Sequence, residues 1–156
     1  MSSHAILDSA THADLRIRTD ASGELGDAIM SCPVMPNEFR QVQAHYPILF
    51  RLDTERRSFT AHALFGFDTG ENLFLDEGNW DVRYRPLAMA VQPFLIGRSP
   101  EGDAAQVHID MAHPRVSYGD GVRVFDEDRQ PTPYLERMSE LLGALDEGYR
   151  ASGAFF

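Results

Sequence analysis

Apolar residues along this chain fall into short blocks separated by polar reversals, and the period changes from block to block. Over 37–46, Phe39, Val42 and Tyr46 recur at helical spacing behind Pro36 and Asn37, and Pro47 disfavours helical geometry at Tyr46. A short helix over 37–46 is therefore predicted. PILFRLD then reads as a strand, TERRS as a polar loop and SFTAHALFGF as a second strand. In that second strand Phe59, Ala61, Ala63 and Phe65 share one face, with Thr60, His62 and Leu64 on the other. The pair predicts an antiparallel hairpin. Further strands are read in ENLFLD, PFLIGR, AAQVHID and VRVF, with an irregular or helical piece around 84–91. The reversals DTGE, DEGN and SPEGD supply the Gly, Asp, Asn and Pro that tight turns require.

Two ends frame this central region. Residues 1–30 are polar with weak periodicity and predict a weakly structured arm, in which Leu15 and Ile17 alternate with Arg16 and Arg18 as a short edge strand. At the other end Thr132 can cap a helix that has Pro133 at its first position. Leu135, Met138, Leu142, Leu145 and Tyr149 form its apolar stripe, and Leu141 widens it. The expected fold is α+β: one domain over 1–156, built on an antiparallel sheet of about five or six strands. The C-terminal amphipathic helix and the shorter 37–46 helix pack on that sheet.

Composition narrows the chemistry. The net charge is −10 over 156 residues, which opposes binding to a nucleic-acid backbone or an anionic membrane. All 14 cationic residues are arginine, so chemistry that requires a lysine, as in Schiff bases and phosphate loops, is excluded. No apolar run is long enough to span a bilayer, and the first residues lack the basic cluster and apolar stretch of a secretory signal. A cytoplasmic location is the expectation. Cys32 is the single cysteine and precedes Pro33 as a small turn residue, although a thiol with His45 and His62 nearby would be a nucleophile candidate.

Several blocks stand out together: Glu38-Phe39-Arg40 before the helix, Tyr46-Pro47-Ile48-Leu49-Phe50 after it, and Phe65-Gly66-Phe67 with Glu71-Asn72-Leu73-Phe74 and Trp80. Tyr84-Arg85-Pro86, Pro93-Phe94 and a Val124-to-Pro131 element complete the set, over about two thirds of the chain. In combination these blocks resemble the SapC family of bacterial proteins. Arg40 stands where the family has proline and Arg129 where it has glycine, and Ala88-Met89-Ala90-Val91 lacks the family's arginines. Family members generally continue beyond these blocks with a further region. The resemblance implies an accessory role beside a halogenase-like or hydroxylase-like enzyme encoded nearby, and implies no chemistry of its own.

Three sets of residues are candidates for function. Asn72, Trp80, Arg83 and Tyr84 combine large aromatic contact area with a guanidinium suited to carboxylates, and suit a ligand- or partner-binding surface. A core tryptophan with a structural arginine is the competing reading. His108, Asp110 and His113 resemble the two-His, one-carboxylate Fe(II) site, since His108 and Asp110 share a strand face. Histidines at a strand end are the alternative. Asp126, Glu127 and Asp128 concentrate charge before the last helix, where the macrodipole favours it without an ion. No catalytic serine elbow or dinucleotide fingerprint is present. The sequence favours a non-enzymatic accessory or binding module, with a small Fe(II) oxygenase as the alternative.

Overall fold

The computed structural model describes residues 1–102 and 104–156. Asp103, the last residue of the expected SPEGD turn, lies outside the described residues. In chain order the strands are β1 (His4–Ile6), β2 (Arg16–Ile17), β3 (Ser31–Val34), β4 (Ile48–Asp53), β5 (Ser58–Leu64), β6 (Leu75–Asp76) and β7 (Asn79–Trp80), followed by β8 (Phe94–Arg98), β9 (Ala105–Asp110), β10 (Val116–Ser117) and β11 (Val122–Arg123). The α-helices are α1 (Phe39–Gln43), α2 (Leu87–Ala90) and α3 (Pro133–Phe155). The α+β class is as expected. Among the described residues, however, the strands divide among three three-stranded sheets and one two-stranded ribbon, all antiparallel, in place of a single sheet.

Two compact units emerge, one of residues 1–19 and 91–143, the other of 20–90 and 144–156. In the first, β8 and β9 form a hairpin and β1 adds to the far side of β9, pairing Ala5 with Ile109. β2 lies between β10 and β11, so it is a central strand and not an edge. Leu15 and Ile17 are accordingly fully buried. Residues 1–30 thus carry two strands, because their partners lie about a hundred positions further along the chain and local periodicity cannot show them. Thr132 caps α3: its hydroxyl accepts from Leu135 N–H at 3.4 Å and donates to Arg123 O at 2.7 Å. Leu135, Met138 and Leu142 are buried as the stripe predicts.

In the second unit β5 is central, with β3 and β4 on either side. Ala61 and Ala63 on the inner face of β5 are buried with Cys32, Val34, Val42, Tyr46, Phe65 and Met89 in one apolar cluster. Small side chains on β5 leave room for the rings of Tyr46 and Phe65, which meet edge-on at 5.3 Å. The predicted 37–46 helix is realised as a 3-10 turn over Pro36–Glu38 followed by α1. Tyr46 N–H still bonds Val42 O at 2.8 Å before Pro47 starts the extended segment. A two-residue reversal at Glu77 and Gly78, both with positive φ (40° and 86°), joins β6 to β7.

The C-terminal half of α3 departs from its predicted stripe. Tyr149 is exposed while Gly148 is buried. A Cβ at Gly148 would lie 2.5 Å from Asn37 Oδ1 and 2.6 Å from Met35 Cβ, so only glycine permits this approach. Asn37 fixes the contact by donating from Nδ2 to Ala144 O at 2.9 Å.

Candidate functional site

Glu38 is a buried acid at the end of the Pro36–Glu38 turn, and its carboxyl group gathers three donors. One oxygen accepts from Met35 N–H at 3.1 Å, which is the reciprocal arm of a capping box. The other accepts from Tyr84 O–H at 2.9 Å and from Leu87 N–H at 3.0 Å, at the start of α2. Both of these partners lie more than forty residues along the chain. A carboxyl group can be held out of water only when its lone pairs are met by donors, and here they are.

The same network runs on through Tyr46. Its hydroxyl donates to Tyr84 O at 2.5 Å and accepts from Trp80 Nε1–H at 2.6 Å. Phe65 and Phe74 enclose it edge-on, with ring centroids 5.3 and 4.8 Å from that of Tyr46. The Arg85 guanidinium lies 5.0 Å from the Trp80 ring centroid, a cation–π distance. Glu38, Tyr46, Trp80, Tyr84 and Arg85 therefore form one connected set, and each belongs to a block that carries the family resemblance. Burial pushes the Tyr84 phenol up, and the neighbouring Glu38 carboxylate adds to the shift. Burial also raises Tyr46, against the opposing hydrogen bond from Trp80. The Cys32 thiol is raised by desolvation and then by Glu38, so at neutral pH it is an inert core thiol.

Of the predicted binding block, Trp80 and Tyr84 come together in this network. Asn72 instead braces a loop, where its Nδ2 donates to Asp27 O at 2.9 Å and its Oδ1 accepts from Phe74 N–H at 3.0 Å. Arg83 is exposed, and Arg85 is the arginine that meets Trp80. Residue chemistry alone does not single out Glu38, Tyr46 and Arg85. Spacing cannot connect them either, because the bonds that join them cross long stretches of chain.

The other candidates are placed as follows. His108 lies with its ring across Gly97 on the neighbouring strand. Asp110 accepts from Ser3 N–H at 2.8 Å and Ala112 N–H at 3.1 Å, bonds that hold its carboxyl below the usual range. His113 Nδ1 accepts from Arg115 N–H at 3.1 Å, which leaves Nε2 to donate to Gln92 Oε1 at 3.2 Å. Among the described residues no group of three or more His, Cys, Asp or Glu side chains is arranged to hold a metal ion. Asp126 accepts from Asp128 N–H and Gln130 N–H, both at 2.9 Å, and shapes the loop before α3. Cys32 and His62 sit on opposite faces of their sheet, since Cys32 pairs with Ala63. His62 bonds Thr60 Oγ1 at 3.1 Å, and burial, then Arg51, lowers its pKa.

A second feature of this unit is invisible to motif reasoning. A groove of about 680 Å³ is lined by Val34, Leu52, Phe59, Ala61, Tyr149 and Phe156, with Arg51, His62 and Ser152 also on its walls. Leu52, Phe59, Tyr149 and Phe156 are all exposed. Its aromatic rim continues through Phe50, whose ring meets Phe39 at 6.2 Å and Phe156 at 5.9 Å.

Comparison with known proteins gives a match to the family model SapC over residues 7–156, well beyond the two thirds that the motif blocks cover. Neither the curated proteins nor the solved structures give a match.

Two outcomes follow from the network. Glu38→Gln keeps the side chain's size but replaces one acceptor oxygen with a donor, leaving at least one buried donor facing another. Thermal or urea unfolding should show a loss of about 1–3 kcal/mol; an unchanged stability would show that these bonds contribute nothing. The raised Tyr84, Tyr46 and Cys32 groups set the alkaline limb. A folded pKa above the unfolded value gives stability that is complete below the unfolded pKa and is lost as pH rises towards the folded one. The unfolded values are about 8.5 for cysteine and about 10 for tyrosine, so stability should fall from about pH 8.5 upward. Denaturant unfolding across about pH 7–11 measures this slope, and Tyr84→Phe should flatten its part above about pH 10.

Proposed function

The chain belongs to the SapC family, and from that premise we propose that it is a non-enzymatic accessory module that binds a partner polypeptide through the groove beside β4 and β5. The observation that carries this reading is the set of exposed Leu52, Phe59, Tyr149 and Phe156 side chains around one concave surface. Grouped apolar exposure with polar atoms at its margin is what protein interfaces use, whereas scattered apolar residues need no explanation. Arg51 and His62, with Asp53, Glu55 and Arg56 on the same walls, would supply the directional contacts.

The buried network supports the same reading from the other side. Glu38, Tyr84 and Trp80 have the chemistry of a site, but their polar atoms are engaged with one another and with the backbone. They serve to hold the sheet in shape. In this reading the groove makes the contact, and the Asn72-to-Tyr84 block is the support behind it, with Arg83 the exposed member. An enzyme of the halogenase-like or hydroxylase-like kind implied by the family resemblance is the partner to test first.

Phe59→Asp places a charge in the groove at an exposed position, so the fold should persist. Affinity for the partner should fall roughly thirtyfold or more, as for an aromatic anchor worth about 2 kcal/mol. Calorimetry or surface-plasmon titration with the purified partner measures it. Full binding by a folded Phe59→Asp protein, with binding lost in Arg83→Ala, would move the site to the Trp80 block.

A further inference from the structure

The two edges of the β3–β5–β4 sheet are not equivalent. In an antiparallel pair, hydrogen-bonded and non-bonded residue pairs alternate along the strands. Leu64 N–H bonds Pro47 O at 3.0 Å, so that pair is bonded. Counting along the register, Leu49–His62, Arg51–Thr60 and Asp53–Ser58 are bonded as well. The N–H and C=O groups of Ile48, Phe50 and Leu52 therefore point away from β5, to the open side of β4. On the opposite edge Phe65 N–H bonds Met30 O, so Cys32 and Val34 face β5 and Ser31 and Pro33 face outward. Pro33 has no N–H to offer a further strand, and proline at such a position is a standard block against edge pairing. No such block stands on β4. Its register over 48–53 runs without a bulge, and its three outward-bonding residues are all apolar.

We propose that β4 pairs antiparallel with β4 of a second copy of this chain, about a two-fold axis at Phe50. Only registers that set even positions opposite even positions align the outward groups of both strands. Centred on Phe50, Ile48 lies opposite Leu52 of the second copy and Phe50 opposite Phe50, each pair exchanging two N–H···O bonds. Apolar residues then meet apolar residues, and Leu49 lies beside the aliphatic stem of Arg51. Centred on Arg51 instead, two guanidinium groups would stand directly opposite each other, which is unfavourable. Charge favours a second copy at this place in particular. The chain carries a net −10, yet the β4–β5 hairpin sets Arg51, Arg56 and Arg57 against Asp53 and Glu55. It is a stretch where two copies of an acidic chain approach with little repulsion. The exposed Phe50 and Leu52 side chains, about half accessible at 54% and 51%, lose water on pairing. Two three-stranded sheets become one continuous sheet, with both grooves on the same face.

Sedimentation equilibrium of the full chain over a wide concentration range tests this. A reversible dimer is expected. Leu52→Pro removes an outward N–H that β5 does not use, and should weaken the dimer at least tenfold while leaving the monomer folded. Phe50→Cys gives an independent reading, because a bonded pair holds Cα atoms about 5.5 Å apart, within disulfide reach. Mild oxidation should link Phe50→Cys chains into a covalent dimer, whereas the wild type, with Cys32 buried, stays unlinked. A chain that is monomeric throughout overturns the proposal. So does a dimer that survives in folded Leu52→Pro protein, or a Phe50→Cys dimer that does not cross-link. If Leu52→Pro fails to fold, cross-linking decides. The inference does not rest on partner binding: a monomer that still binds its partner with the Phe59 dependence described above overturns this inference alone.

Discussion

A single buried carboxyl group ties together the unit of residues 20–90 and 144–156. Glu38 is buried, so its position is fixed by donors, and those donors come from three places: its own turn, Tyr84, and the first residue of α2. Removing any one would leave a polar group unmatched where it is most costly. This gives the turn before α1 a definite relation to a loop that the chain reaches almost fifty residues later. Tyr46 and Trp80 extend the constraint across the aromatic cluster, and the small inner residues of β5 make space for it.

Such an arrangement commits the buried polar groups of this unit to stability. A tyrosine and a glutamate that would look reactive in isolation are committed to each other, and burial drives the phenol and the neighbouring Cys32 thiol further from ionisation. Apart from this network, β4, β5 and the end of α3 expose aromatic and aliphatic groups that the core does not need. Gly148 lets α3 approach the Met35–Asn37 turn, and so the helix end that lines the groove is anchored to the turn that carries Glu38.

Local signals are readable wherever the physics is local. Thr132 and Pro133 mark the start of α3, Pro47 ends the helical stretch at Tyr46, and alternation along 59–65 assigns the buried face of β5 correctly at Ala61, Ala63 and Phe65. Phe59 obeys the alternation yet is exposed, because it lies beyond the end of the core. Pairing at long range is what cannot be read. β1 finds β9 and β2 finds both β10 and β11, and no period in residues 1–30 announces it. Glu38 and Tyr46 are legible as family motif residues and not as one network, since their link runs through Tyr84. Departures from the family pattern also acquire a physical sense: Arg129, standing where glycine is expected, adopts a left-handed φ of 60°.

The claim that the Glu38 network holds this unit together is tested most directly by native-state hydrogen exchange at Met35 and Leu87, whose amides bond the carboxyl group. Both should exchange as slowly as the Ala61 and Ala63 amides in the centre of the sheet, through the same cooperative opening. Fast exchange at Met35 and Leu87, with Ala61 and Ala63 still protected, would show that the network is a local decoration and that the apolar cluster holds the unit without it.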